Sequence, residues 1–451
     1  MQVKIFILSA LVFPSFILAQ NYPDQFYVQR IDSLYQNIET NVNMKLSEDG
    51  KSIVLKENFI DGHIIFKPQY SQFPFNEGLP SWNGSAPDNN SAFKIQMRFP
   101  YNGGWSPWLT VGFWKANVWS SYGSTSYSGG YIDYDYVKLY SYQSAWQFKV
   151  IITRSSLQQP SPSIHKLSFF VSDSRTTSSV NISQIVNDNP AQIFIPTNFI
   201  YQYGVDPQIG GSICSPTSVA MILRSYNINV DPLQFAQATL DPYYNIFGIW
   251  PRVVQNASEY GLDGAVTRYR TWSEAREVLS SGGRISMSVS LPLYSGHLMM
   301  LAGFTNDGRP IVHDPAKSNG YSYIFNKTDL SMSWFNKGGV AYTFYKADSV
   351  TSSLEEAPTG TNLTHGFQLH QNYPNPFNAS TNITFTITSQ IHVSLKIYDV
   401  LGNEIETLLN EEKSPGTYKL NWHTNNIPSG IYFYKLQTGE YSELKKMILL
   451  K

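Results

Sequence analysis

Between Met44 and about Arg175 the chain runs in short segments whose apolar residues fall at alternate positions. Ser52-Ile53-Val54-Leu55, Phe93-Lys94-Ile95-Gln96-Met97-Arg98 and Trp146-Gln147-Phe148-Lys149-Val150-Ile151-Ile152 are examples. Alternation turns every second side chain to the same face, so each segment predicts a half-buried strand. Clusters of Gly, Pro, Asn and Ser separate the segments, and that spacing predicts a β-sandwich over 44–175. Residues 21–45 carry no strong period and read as a lead-in.

The period changes in the middle of the chain. Pro216 to Tyr226, Pro232 to Ala238, Pro251 to Tyr260 and Ser273 to Ser280 open with Pro or Ser and then repeat apolar residues at three- and four-residue steps, which predicts helices. Strands are expected at Ile285 to Leu291, His297 to Phe304 and Pro310 to His313, the last two joined by the hairpin signal Asn306-Asp307-Gly308. Helices followed by an antiparallel sheet make an α+β domain over 190–349. Residues 350–366 lack any apolar period and read as a linker. Alternation returns at Asn382 to Ile387, Val393 to Tyr398, Tyr418 to Trp422 and Ile431 to Leu436, predicting a second, smaller sandwich within 367–451.

Composition narrows the function classes. The 451 residues have a formal charge of −1 and only 14% charged side chains, so nucleic acid is not an expected partner. Met1-Gln2-Val3-Lys4, the apolar stretch Ile5 to Leu18 and the small residue Ala19 have the form of a cleaved export signal over 1–19, too short to span a bilayer. No His or Cys pair stands at ligand spacing, so no metal and no cofactor is expected.

Cys214 is the single cysteine, and one thiol forms no intramolecular disulfide. It is either a small packed hydrophobe or a reactive group. Pro216 suits a first helical turn, and Val219, Ile222 and Leu223 supply a buried stripe, which places the thiol at a helix N-terminus. Unpaired N–H groups and the positive end of the helix dipole favour thiolate there. The 190–349 segment holds two imidazoles, His297 and His313. His297 opens a strand, and the following hairpin returns the chain at His313-Asp314-Pro315, so Asp314 is positioned to orient the His297 ring. Each feature also has an ordinary structural explanation: a packed helix start, a satisfied strand-end histidine and an Asp-Pro turn. His313 falls on the other face of its strand and reads as structural.

Residues 190 to about 349 resemble the bacteriocin-leader-peptidase-like family of the papain superfamily. The matching residues are Gln202, Cys214-Ser215-Pro216-Thr217-Ser218, Gly296-His297 and Asp314-Pro315-Ala316. The resemblance implies a papain-like fold, Cys214 as nucleophile, His297 as base and Asp314 as orienting group. It also implies a Gln sharing the oxyanion hole with the Cys214 N–H; Gln202 fits the family gap, and Gln208 is the alternative. The implied substrate is a peptide or protein, hydrolysed through a thioester. Acyl transfer to an amine would use the same residues.

The last 85 residues resemble the C-terminal sorting domain of type IX secretion, through Asn372-Tyr373-Pro374-Asn375-Pro376-Phe377-Asn378, Ile397-Tyr398-Asp399-Val400-Leu401-Gly402, Pro428-Ser429-Gly430-Ile431-Tyr432-Phe433-Tyr434 and Lys445-Lys446-Met447. That implies an Ig-like sandwich, the type IX secretion machinery as partner, and a product secreted or attached at the outer surface. The N-terminal segment holds Trp82, Trp105, Trp108, Trp114, Trp119 and Trp146, and its Ser-Trp-Asn and Trp-Ser-x-Trp patterns are similar to domains found upstream of such peptidases. Its tryptophans are either core residues or a platform for a carbohydrate or polymer. The second choice defines a competing function, a surface binding protein with a non-catalytic papain-like scaffold.

Overall fold

Alternation in the first third of the chain produces long, bent strands. The computed structural model describes residues 24–30, 35–115, 123–178 and 180–347, and, in the C-terminal part, 367–369, 372, 377–387, 390–399, 402–414, 416–424, 427–439 and 441–449. The expected export signal, the linker, Trp119 and Tyr373-Pro374-Asn375-Pro376 of the sorting motif lie outside these residues. The chain forms two compact units, divided at 360/361. No described helix is long and apolar enough to cross a membrane.

In the first unit, strand Tyr136–Arg154 passes from one group of strands to another. Its first half pairs with Gln69–Ser85, and its second half, Gln147 to Arg154, pairs with Ser91–Arg98. Gln69–Ser85 pairs in turn with Ser163–Ser172. The alternate side chains Phe93, Ile95, Met97, Phe148, Val150 and Ile152 meet Phe75, Trp82, Trp146 and Phe169 in one fully buried cluster. Fully burying one such side chain contributes about 1.5–3 kcal/mol. The stretch read as a lead-in is structured instead. Asp24–Arg30 pairs along its whole length with Lys166 to Ser172, and Ile38–Val42 pairs with Asp61–Phe66. Both segments are half-exposed, so they show no clean alternation.

Trp82, Trp114 and Trp146 belong to this core, at 1% exposure or less, and offer no face to a ligand. Trp105 and Trp108 are half-buried, with the Arg98 guanidinium 5.2 and 4.4 Å from their ring centres. The core explanation of the tryptophans therefore accounts for three of them outright.

The second half of this unit is an antiparallel sheet with helices around it. Its strand order is Ile193–Phe194, His297–Phe304, Arg284–Val289, Val340–Lys346 and Leu262–Arg268, with Pro310–His313 paired to His297–Phe304. The predicted helices appear as Cys214–Ser225, Pro232–Thr239, Trp250–Glu259 and Trp272–Ser280. The simple order of helices before strands does not hold. Strand Leu262–Arg268 lies between two helices, and helix Lys327–Phe335 follows the hairpin.

Segments 44–175 and 190–349 lie in the same compact unit, joined by buried polar contacts. Helix Trp250–Glu259 packs against both Gln69–Ser85 and Leu262–Arg268. Its Glu259 accepts bonds from the Trp114 indole (2.7 Å), the Ala86 N–H (2.9 Å) and the Ser85 hydroxyl (2.7 Å). Its Arg252 donates to the Phe113 carbonyl at 2.7 Å. Asp263 is shared between Arg30 (2.7 Å) and the fully buried Lys166. Asn83 both donates to the Gly264 carbonyl (3.0 Å) and accepts from its N–H (2.9 Å).

The second unit contains two sheets. One orders Phe367–Leu369, Ser380–Ile387 and Gly416–His423; the other orders Glu404–Lys413, Ile391–Tyr398, Gly430–Thr438 and Tyr441–Leu449. Ile383, Phe385, Val393, Leu395, Trp422, Tyr434 and Leu436 fill its core.

Asn83→Ala leaves the buried N–H and C=O of Gly264 without partners. Its expected cost is about 2–4 kcal/mol, read as a lower midpoint in urea unfolding. An unchanged midpoint would show that this contact does not hold the two segments together.

Candidate active site

Helix Cys214–Ser225 starts at the thiol residue. Ile213, at its N-cap position, makes no side-chain cap, so the first-turn N–H groups are not consumed by a capping oxygen. Residues Ser215 to Leu223 are all buried. A helix covered on every side is a central element, and the expected stripe of Val219, Ile222 and Leu223 is only part of its contact surface. Two of its buried serines find internal partners. The Ser218 hydroxyl donates to the Leu298 carbonyl (2.9 Å), and the Ser215 hydroxyl shares a bond with the Tyr342 hydroxyl (2.8 Å). The Ser218 bond ties the thiol helix to the residue next to His297.

The His297 ring is almost wholly buried. Its Nε2 lies 2.8 Å from Asp314 Oδ1. The imidazole and the Cys214 thiol each favour the other's charged form. Because Nε2 is taken by the carboxylate, Nδ1 is the ring nitrogen left to serve the sulfur. The backbone N–H groups of Ser215 and Leu298 also favour the thiolate. Cys214 itself retains partial exposure.

Asp314 is fully buried and held from several directions. Oδ1 also accepts the Ala316 N–H (3.0 Å), and Oδ2 accepts the Tyr294 hydroxyl (2.5 Å). The Tyr294 ring lies against the His297 ring at 4.3 Å between centres. The turn after Asp314 closes through its N–H on the Gly320 carbonyl (2.9 Å). A Cβ at Gly320 would stand 2.0 Å from the Asp314 carbonyl oxygen, so glycine permits that approach.

Gln202 is buried at 2% exposure. Its Nε2 donates to the Gly210 carbonyl at 2.6 Å, and its backbone N–H donates to the Pro315 carbonyl at 2.9 Å. It therefore bridges the short 3-10 helix Gly210–Ser212 leading into Cys214 and the turn carrying Asp314. Gln208 is exposed, and its backbone N–H is held by Asp206. His313 is fully buried with both ring nitrogens engaged, Nε2 donating to the Ile195 carbonyl (3.1 Å) and Nδ1 accepting the Ser322 N–H (3.1 Å). The structure thus pairs His297 with Asp314 by a hydrogen bond and with Cys214 electrostatically, ties Gln202 to Gly210 and Pro315, and gives His313 a different set of partners. Tyr294 was not singled out from the sequence, since a lone aromatic between elements carries no pattern that marks it.

The electrostatics follow from these contacts. Burial alone would push the Cys214 thiol up, but the His297 bond and charge and the two backbone N–H groups bring it below its ordinary value. Burial opposes a charged His297, yet the Asp314 and Cys214 bonds outweigh it and raise the imidazole to about 9. Asp314 is held below the usual carboxylate range by the His297 bond and charge and by Tyr294, against the effect of burial. All three shifts favour thiolate beside imidazolium beside carboxylate.

Comparison with known proteins follows the same division of the chain. Residues 194–342 match the Peptidase C39 like family, residues 41–172 the Peptidase C39 N-terminal domain, and residues 371–450 the secretion system C-terminal sorting domain. The sorting domain indicates export by type IX secretion, to the cell surface or the medium. No curated protein matches the chain. Among solved structures, similarity is found to PorZ, a surface component of the type IX secretion system of Porphyromonas gingivalis, at 15% identity over 34% of this chain and 21% of that one (TM-score 0.14). Dimeric latent PorU of the same organism matches at 11% identity over 94% of this chain and 34% of that one (TM-score 0.18). The chain thus spans a fifth to a third of the length of these structures, and at these scores they carry no argument about its fold. By its family matches the chain carries a Peptidase C39 like domain, preceded by the N-terminal domain that accompanies it and followed by a type IX secretion sorting domain.

Proposed function

We propose that the chain is an exported cysteine peptidase that hydrolyses amide bonds through a Cys214 thioester. The observation that carries this reading is the buried His297–Asp314 hydrogen bond beside Cys214, whose thiolate and the imidazolium favour each other. In the proposed cycle the thiolate of Cys214 attacks the substrate carbonyl carbon. The oxygen that gains charge is received by the Cys214 backbone N–H and by the Gln202 Nε2 proton that Gly210 does not use. The tetrahedral species collapses as His297 passes its Nδ1 proton to the departing amine nitrogen, leaving a thioester on Cys214. Water then attacks the thioester while the neutral imidazole takes its proton. Release of the acid regenerates thiolate and imidazolium.

Asp314 holds the ring so that Nδ1 stays on the sulfur, and Tyr294 holds Asp314. We read Gln202 in preference to Gln208 as the oxyanion donor, since it is buried and fixed between the Cys214 and Asp314 segments. We read the flanking β units as sandwiches around this domain, the C-terminal one engaging the type IX secretion machinery.

Cys214→Ala is expected to lower the turnover of peptides from a mixed library by about 10⁴-fold or more, because removing a nucleophile removes the covalent route. Mass-spectrometric comparison of the products with wild type tests this. The same fragments at the same rate from the variant would remove Cys214 from the mechanism.

The kcat/KM profile of wild type should rise at acid pH as the thiolate forms, and fall near pH 9 as the imidazolium loses its proton. Asp314 is a cause of the raised His297 value, so Asp314→Asn should move the alkaline limb down by roughly one to two pH units. An alkaline limb that stays in place would mean that the carboxylate does not stabilise the imidazolium.

A further inference from the structure

A second chain of contacts leads from the start of the thiol helix to the N-terminal β segment. Ser215, beside the nucleophile, bonds the Tyr342 hydroxyl. The backbone at Gly248 lies against Ser215, since a Cβ there would stand 3.3 Å from the Ser215 Cβ. Two residues on, Trp250 opens its helix with its N–H donated to Asp135 Oδ2 (2.9 Å) of the N-terminal segment. Lys337, just beyond helix Lys327–Phe335, places its ammonium 2.9 Å from the Ser288 hydroxyl and 5.9 Å from the Trp250 ring centre.

Trp250 and Lys337 line a cavity of about 680 Å³ whose wall also includes Glu77 and Lys138 from the N-terminal segment and Arg268 and Asn336 from the peptidase segment. That volume lies in the ordinary range for a ligand site. Its lining carries three cations against one carboxylate. Glu77 is already shared, with Arg268 at 3.6 Å and Lys138 at 4.0 Å. Lys337 bonds a neutral hydroxyl, and among the described residues no carboxylate oxygen lies within 4.0 Å of its ammonium. Asp135 acts on it only from farther away, and burial raises that carboxyl to about 7, so near neutral pH it carries a partial charge. Burial pushes the Lys337 ammonium down, and Asp135 and the Cys214 thiolate act against that in favour of its charged form.

Resting on the peptidase reading above, we propose that this cavity is a substrate subsite for a carboxylate close to the scissile amide, with Lys337 as its specificity-determining cation and the N-terminal β segment forming part of its wall. An Asp or Glu side chain and a free C-terminal carboxylate share this chemistry. A half-buried ammonium without a fixed counter-ion gains most from an anion that arrives with the substrate. The tryptophan beside it supplies apolar surface for the stem of that residue.

The test is cleavage of matched peptides by the full chain. Each set carries Glu, Gln or Lys at one position near the cut, and parallel sets carry a free or amidated C-terminus. Wild type should favour Glu over Gln at one position by about tenfold, the order expected for a partly buried charge pair. If instead only the free C-terminus confers the preference, the carboxylate is the terminal one. Lys337→Arg should keep the Glu:Gln ratio, Lys337→Met should bring it close to one, and Lys337→Glu should turn the preference toward Lys. The ratio within one variant does not depend on how much of that variant folds. Cys214-dependent cleavage with no carboxylate preference, or with a preference that survives in Lys337→Met, overturns the subsite and leaves the peptidase reading standing. Absence of Cys214-dependent cleavage in wild type overturns the peptidase reading and this inference with it.

Discussion

The site depends on a row of charges that only partners make tolerable in a buried place. An isolated carboxylate, imidazolium or thiolate removed from water would neutralise itself. Here Asp314 is balanced by His297, His297 by Asp314 and Cys214, and the thiolate by the imidazolium and two backbone N–H groups. The rest of the first unit can be understood as what keeps those groups in register. Ser218 ties the thiol helix to Leu298, the hairpin returns the chain to Asp314, Tyr294 occupies the second carboxylate oxygen, and Gln202 spans the Cys214 and Asp314 segments.

The N-terminal β segment is part of this unit in a physical sense. Its contact with the sheet is polar and buried, through Asn83, Lys166, Glu259 and Arg252, and buried polar groups of this kind are costly to expose. Such an interface favours one fixed arrangement over a loose hinge. Through Asp135 and Trp250 the segment also reaches the neighbourhood of Ser215. Its tryptophans serve mainly as core, which directs attention from their ring faces to the charged cavity on its border.

Much of the candidate site stands out in the sequence because its residues break patterns. A solitary cysteine before a helix-starting proline, a histidine at the head of an apolar strand, and an Asp-Pro after a hairpin signal each stand out locally. The strand Leu262–Arg268 was not legible, since all seven residues are buried and both faces are covered. Its polar members are satisfied at a distance, Asp263 by Lys166 and Arg30, Arg268 by Glu77, and Thr267 by Thr343. No period marks a strand whose polar side chains are paired by other segments. Helix Lys327–Phe335 escaped for a related reason: it has buried side chains on several faces, so its apolar stripe is weak. Asp24–Arg30 became a strand through its pairing partner, with little contribution from its own pattern.

The central claim is that Cys214 and His297 form one charged pair whose members hold each other's protonation state. It is tested most directly by following the His297 imidazole by NMR against pH, before and after the Cys214 sulfur is capped by a neutral methylthio group. The account predicts titration near 9 in the free protein and a clear fall on capping, because the thiolate is one of the causes of the raised value. An imidazole that titrates near its ordinary 6.5 in the free protein, or that does not respond to capping, would contradict it.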